Sequence, residues 1–72
     1  MISKIHFVIL ANGEPIGQCR ALYDYVGADQ HELDLFAGDI FQILERDYDS
    51  GWWTGELNGR IGLFPSNYIE EL

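Results

Sequence analysis

Short strand-like segments separated by turn residues dominate this 72-residue chain and restrict what it can fold into. Cys19 and Ala21, and then Leu33 and Leu35, alternate with polar neighbours, which is the two-residue period of a strand with one buried face. The pair Asn58-Gly59 lies between two such segments and is a strong signal for a tight hairpin. No segment keeps a helical period over about 11 residues. The pattern predicts a small all-β barrel or sandwich.

The strand pattern begins at Cys19, and we expect further strands at residues 40–44, 52–57, 60–64 and 69–72. Pro65 ends the fourth of them, since proline cannot donate to a ladder, and residues 65–68 can form one helical turn with Pro65 at its start. Gly55 faces the core, where its missing side chain leaves room for two phenylalanines. The predicted core consists of Cys19, Ala21, Leu33, Leu35, Phe41, Ile43, Phe64 and Ile69.

Charge and length exclude several classes of function. Twelve acidic against four basic residues give a net charge of -8, which disfavours nucleic acid and favours a basic partner. A single small domain leaves little room for a deep substrate pocket. The sequence holds no Ser/His/Asp set, no metal-spaced Cys/His cluster and no phosphate-binding glycine loop. We therefore expect neither an enzyme nor a cofactor nor a metal site.

The single cysteine and the absence of a long apolar segment indicate the cellular compartment in which the protein works. Cys19 is the only cysteine, so no internal disulfide can form, which fits a reducing, cytoplasmic compartment. No apolar stretch approaches the ~20 residues that a membrane span needs. We expect a cytoplasmic domain that does not insert into a membrane.

Residues 1–18 differ from the remainder of the chain and are read as an extension or linker. Residues 5–11 read as an extended apolar segment, Asn12-Gly13 is a turn signal, and residues 14–17 read as a linker or second turn. This part is either an extra strand or hairpin, or the tail of a neighbouring domain. Residues 19–72 form the domain proper, which we expect to be monomeric.

Aromatic residues recur at three separated places, and they predict a binding surface. Tyr23 and Tyr25 are two apart and so share one face of an extended segment, whereas Trp52 and Trp53 are adjacent and point to opposite faces. Tyr68 is the third location. A chain this short cannot bury so many rings in one core, and exposed rings mark a binding surface. We interpret Trp53 as structural and the other four rings as a groove for proline.

The chain from about residue 19 to 72 resembles a Src homology 3 (SH3) domain. Six motifs carry the resemblance in the family's order: residues 21–25 (Ala-Leu-Tyr-Asp-Tyr), 32–35 (Glu-Leu-Asp-Leu), 38–40 (Gly-Asp-Ile), 52–53 (Trp-Trp), 59–64 (Gly-Arg-Ile-Gly-Leu-Phe) and 65–68 (Pro-Ser-Asn-Tyr). The resemblance implies a five-stranded barrel of two packed antiparallel sheets with one 3₁₀ turn near the C-terminus. It also implies a long loop at residues 26–34, a second recognition loop at 45–51, and non-catalytic binding of proline-rich peptides.

The resemblance also implies which residues form the groove. A Pro-x-x-Pro peptide is preformed as a three-residue-per-turn helix and fits slots between aromatic rings. Its carbonyls would accept hydrogen bonds from tyrosine hydroxyls, the Trp52 indole and the Asn67 amide. A third pocket would read a flanking Arg or Lys through Trp52 and two acids of the long loop, Glu32 and Asp29. The full set of implied peptide-binding residues is Tyr23, Tyr25, Asp29, Glu32, Trp52, Pro65, Asn67 and Tyr68.

Two further points qualify this expectation. Leu63 stands where many family members carry a tyrosine, so one hydroxyl donor of the first slot is lost while its apolar wall remains. The alternative functions are binding of a folded protein such as ubiquitin, or self-association through the N-terminal extension. Tyr68 argues against ubiquitin, which tends to go with phenylalanine at that position.

Overall fold

The computed structural model describes residues 14–72, and the strand or hairpin considered for residues 5–11 with its turn at 12–13 lies outside the described residues. Five strands and one short helix follow one another in the described part, and they confirm the predicted all-β class and the 3₁₀ turn. The strands are β1 (Gly17–Ala21), β2 (Ile40–Glu45), β3 (Trp52–Leu57), β4 (Arg60–Pro65) and β5 (Ile69–Glu71), and the 3₁₀ helix is Ser66–Tyr68.

The strands form one antiparallel sheet rather than two separate ones. Their order is β4-β3-β2-β1-β5. The expected second sheet is joined to the first because β1 pairs with β2 along one edge and with β5 along the other. In the core, the Phe41 ring of β2 meets the Phe64 ring of β4 edge to face at 5.0 Å.

The segment around Leu33 and Leu35 was predicted as part of a strand, and the structure makes it a loop with isolated bridges. Tyr25 pairs with Leu35, and Glu32 pairs with Leu63. The alternation in the sequence nevertheless reports burial correctly, since Leu33 and Leu35 are both 1% exposed. Strand β4 also runs one residue further than predicted, because Pro65 occupies its last position opposite Trp52.

Seven of the eight predicted core residues are fully buried. The exception is Ile69, which lies on the edge strand β5 and packs against the core half-buried. Trp53 is buried with them, as its interpretation as structural requires. A Cβ on Gly55 would lie 2.9 Å from both Phe64 Cε1 and Gln42 O, so the missing side chain does make room for the ring.

The hairpin between β3 and β4 has the turn that its sequence predicts. Asn58 has φ 51° and Gly59 has φ 88°. Two successive residues with positive φ are the signature of the tight turn that matches the twist of antiparallel strands. This hairpin joins the strand that carries both tryptophans to the strand that ends at Pro65.

Candidate functional site

Four aromatic rings from distant parts of the chain lie side by side on one surface. Tyr23 contacts Tyr68 edge to face at a centroid distance of 5.6 Å, and Tyr68 contacts Tyr25 in the same way at 5.6 Å. Tyr25 in turn contacts Trp52 at 5.9 Å. Edge-to-face packing sets these neighbouring rings at steep angles to one another, between 64° and 85°. We call these four rings the aromatic groove.

Backbone hydrogen bonds fix the three chain segments that supply the groove. The Leu22 amide donates to Tyr68 O at 2.8 Å, which ties the end of β1 to the 3₁₀ helix. The Ser66 amide donates to Gly51 O at 2.9 Å, which ties that helix to the start of β3. The rings are therefore held by the sheet and its connections.

The remaining predicted groove residues differ in accessibility. Pro65 is buried and pairs with Trp52 in the β3–β4 register, so it supports the tryptophan more than it presents a surface. Asn67 is exposed, and its amide makes no hydrogen bond within residues 14–72. Tyr23 is the most open ring of the groove at 57% exposure, and Leu63 nearby in sequence to Pro65 is 37% exposed.

Glu32 is joined to the groove through Tyr25. Its Oε1 accepts hydrogen bonds from the Tyr25 hydroxyl at 2.5 Å and from the Ala28 amide at 2.8 Å. Both bonds end on the same oxygen, which leaves Oε2 available as far as the described residues are concerned. The bond to Glu32, with some burial, raises the pKa of Tyr25 to about 12, because the protonated phenol is the form that donates.

The other acids of the long loop shape that loop. Asp29 Oδ1 accepts from the His31 amide at 2.8 Å, and Asp34 Oδ1 accepts from the Gly27 amide at 2.7 Å. Asp24 and Asp39, which lie outside this loop, accept from the Ala37 and Phe36 amides respectively. The loop therefore concentrates negative charge near the groove, and one oxygen of each of these carboxylates accepts a hydrogen bond from a backbone amide.

The loop at residues 45–51 has a similar internal support. Asp47 Oδ1 accepts from the Asp49 amide at 3.1 Å and the Ser50 amide at 3.2 Å, and the bonds to Ser50 and Asp49 lower the pKa of Asp47. Ser50 Oγ accepts from the Trp52 amide at 3.1 Å. This loop therefore ends in a turn that fixes the backbone of the groove tryptophan.

Sequence reasoning did not single out two arginines that the structure places beside key elements. The Arg46 guanidinium lies 5.6 Å from the Trp53 ring centre. Arg60 Nη2 donates to Gln30 O at 2.9 Å and Glu32 O at 3.3 Å, across 30 and 28 positions of the chain. Sequence spacing carries no signal for contacts of that separation.

Residues 14–72 offer neither a metal-binding cluster nor a long apolar helix. No group of three or more His, Cys, Asp or Glu side chains in that part of the chain is placed to hold a metal ion. No helix there is long and apolar enough to cross a membrane. Cys19 is buried, and burial raises the pKa of its thiol to about 12.

Comparison with known proteins gives a consistent family. The SH3 domain family model matches residues 20–66. An SH3 and F-BAR domain-containing protein of Dictyostelium discoideum is 64% identical over 55 residues, which are 76% of this chain and 14% of that protein. The mouse CD2-associated protein is 46% identical over 55 residues, 76% of this chain and 8% of that protein. The chain thus spans a small fraction of these curated relatives.

Two solved structures are similar to most of the described fold. The C-terminal SH3 domain of myosin IB from Entamoeba histolytica, bound to a peptide, is 50% identical with a TM-score of 0.72, covering 78% of this chain and 92% of that one. The Acanthamoeba myosin I SH3 domain bound to Acan125 is 41% identical with a TM-score of 0.75, covering 81% of this chain and 98% of that one.

Proposed function

This chain belongs to the SH3 domain family of protein-protein interaction modules, and on that premise we propose that its aromatic groove binds proline-rich segments with a Pro-x-x-Pro core and a flanking Arg or Lys. The observation that carries the proposal is the unbroken series of edge-to-face rings with a carboxylate hydrogen-bonded to it. Tyr68 contacts Tyr23 and Tyr25, and Tyr25 contacts Trp52 and donates to Glu32.

The rings supply the two proline slots. The first lies between Tyr23 and Tyr68, and the second between Tyr25, Trp52 and Tyr68, with Pro65 behind them. A polyproline II segment has no internal hydrogen bonds, so its carbonyls need donors. The exposed Asn67 amide, the tyrosine hydroxyls and the Trp52 indole N–H are such donors. Leu63 gives the first slot an apolar wall without the hydroxyl that a tyrosine would add.

The long loop at residues 26–34, here called the acidic loop, supplies the preference for a basic flank. An arginine side chain can stack on Trp52 and donate to Glu32 Oε2, the oxygen that neither Tyr25 nor Ala28 uses. Asp29 offers a second carboxylate on the same loop. A net charge of -8 also speeds the encounter with basic segments more than it deepens affinity. Shallow interfaces of this size give affinities around micromolar.

Four ligands test the groove by chemical-shift mapping of the ¹⁵N-labelled protein. The first is a Pro-x-x-Pro peptide with a flanking Arg, the second carries neutral citrulline in place of that Arg, the third has both prolines replaced by alanine, and the fourth is ubiquitin. We expect shifts at Tyr23, Trp52 and Tyr68 with the first two peptides, tighter binding of the first, and none with the third. Shifts confined to ubiquitin, or equal binding of the alanine peptide, would contradict the proposal.

The binding unit is residues 19–72, with residues 1–18 as an extension, and the unit is a monomer. Sedimentation of the full chain and of a chain that lacks residues 1–18 checks both parts. We expect monomers in both samples and the same peptide affinity. A dimer that requires residues 1–18 would support self-association instead. The single cysteine, buried in the core, fits a reducing cytoplasmic compartment.

A further inference from the structure

The tip of the acidic loop is attached to strand β4 by a series of bonds to consecutive carbonyls. Gln30 O accepts from Arg60 Nη2 at 2.9 Å, His31 O accepts from the Leu63 amide at 2.8 Å, and Glu32 O accepts from Arg60 Nη2 at 3.3 Å. A side chain and a backbone amide of the same strand thus alternate along the loop. Arg60 is the one side chain in this series, since the other donor is the backbone amide of Leu63.

Strand β4 is also shaped to receive the loop. A Cβ on Gly62 would lie 3.0 Å from His31 O and 3.2 Å from Leu33 Cδ2, so the glycine permits the close approach. The Leu33 amide donates back to Leu63 O at 2.8 Å. The main chain at Glu32 is therefore fixed by neighbours on both sides, and that main chain restricts the rotamers that the Glu32 side chain can adopt.

We propose that Arg60 is a positioning residue for the specificity of the groove: it holds the main chain of Gln30 and Glu32 so that the Glu32 carboxylate stays between Tyr25 and the basic residue of a bound peptide. This assignment rests on the proposed function, because it concerns how the acidic loop reads a basic flank. Arg60 itself touches no peptide. It acts through the loop carbonyls, from the start of the strand that follows the Asn58-Gly59 hairpin.

The sign of the effect separates positioning from charge. Arg60 carries a positive charge beside the acidic loop and therefore repels a basic peptide. If charge were its only role, its removal would strengthen the binding of that peptide. Loss of positioning changes the affinity in the opposite direction, because a Glu32 carboxylate that samples several orientations is less often in place to accept from arginine. The two roles therefore predict opposite changes in affinity for the same substitution.

The test compares Arg60→Ala, Arg60→Lys and the control Arg20→Ala in the full chain. Arg20→Ala removes the same charge, but the Arg20 guanidinium pairs with Glu70 and not with the loop. Each variant is titrated with the Arg-flanked and the citrulline-flanked peptide. We expect Arg60→Ala to weaken the binding of the Arg-flanked peptide about fivefold and that of the citrulline-flanked peptide less than about twofold. A loss of this size is typical of a residue that acts through a neighbour. Arg60→Lys should recover part of the loss.

A second readout needs no ligand, so it stands even where the peptides do not bind. The Ala28 amide donates to Glu32 Oε1, and its hydrogen exchange reports whether that carboxylate is in place. We expect exchange at Ala28 to accelerate severalfold in Arg60→Ala and to be unchanged in Arg20→Ala. Thermal unfolding checks that both variants remain folded.

The outcomes separate the two hypotheses. Failure of the unmodified chain to bind either peptide overturns the proposed function, while the exchange result still decides whether Arg60 positions Glu32. Unchanged exchange at Ala28 overturns the positioning role. So does tighter binding of the Arg-flanked peptide by Arg60→Ala, or an equal loss for both peptides.

Discussion

Trp52 and Trp53 are neighbours in sequence with identical side chains, yet they occupy opposite sides of strand β3. Trp52 is half-buried and contacts Tyr25 in the aromatic groove. Trp53 is 7% exposed and contacts Phe64 in the core, with Tyr48 and Arg46 around it. The pleat of the strand assigns one ring to recognition and the next to stability. Substitutions on the two sides should therefore change different measured quantities.

Trp53→Ala should have the largest effect, and the effect should be on folding. Removing a buried indole costs about 3–5 kcal/mol, which is comparable with the whole stability of a small domain. We expect the variant to be largely unfolded by circular dichroism at 37 °C, and Trp53→Phe to restore most of the thermal stability. A Trp53→Ala variant that melts within a few degrees of the unmodified chain would show that the ring is not part of the core.

Trp52→Ala should have the next largest effect, and the effect should be on binding. A central aromatic anchor of an interface contributes about 2–3 kcal/mol, or roughly 30- to 150-fold in Kd. The free energy of unfolding should change by less than about 1 kcal/mol, because the ring is partly solvated already. Fluorescence or calorimetric titration with the Arg-flanked peptide measures the loss. Normal binding by this variant would refute the groove.

Glu32→Gln tests the acidic margin of the groove. The variant keeps an acceptor for Tyr25 but loses the charge that attracts a basic flank, so the Arg-flanked peptide should weaken about fivefold to tenfold. The citrulline-flanked peptide is the matched control and should change little. An equal loss for both peptides would mean that Glu32 only shapes the loop.

The Tyr25–Glu32 bond also has a pH signature. The pKa of Tyr25 is raised to about 12 from an ordinary value near 10. The stability that the Tyr25–Glu32 hydrogen bond contributes to the folded domain is therefore fully present below about pH 10. It is lost as the pH rises towards about 12. In Glu32→Ala, which removes the acceptor, this window should narrow as the pKa of Tyr25 falls back. NMR titration of ¹³C-labelled tyrosine measures it, and an unchanged pKa in the variant would deny the bond.

Tyr48→Ala should have the smallest effect. It tests whether a residue that contacts Trp53 affects stability and not peptide binding. Tyr48 is 77% exposed and contacts Trp53 edge to face at 5.5 Å. The loss of one such pair lowers the free energy of unfolding by about 0.5–1 kcal/mol. Peptide affinity should stay within twofold, because the ring lies against the structural tryptophan. A larger loss of binding than of stability would place Tyr48 in the groove.

Much of the fold follows from local sequence. The alternation of apolar residues identified seven of the eight core positions, and Asn58-Gly59 predicted the hairpin turn that the structure shows. The same two-residue period separated Trp52 from Trp53. These predictions succeed because side-chain direction along a strand and the turn preference of Asn-Gly are properties of the local backbone.

Other features needed the tertiary structure. Pro65 was expected to line the groove, but its burial depends on its pairing with Trp52 in the β3–β4 register. The single sheet depends on β1 pairing with strands that follow it by tens of residues. That Glu32 uses one oxygen for Tyr25 and Ala28 depends on where the loop is held.

The sequence by itself determined most of the buried core, which way each tryptophan points, and the acidic, aromatic character of the groove. Those properties depend on residue type and on the period of an extended chain. Only the tertiary structure decided which distant groups meet: Tyr23 with Tyr68, and Arg60 with the carbonyls of the acidic loop. The physical reason is that such contacts require the pairing register of the whole sheet, which no local preference encodes.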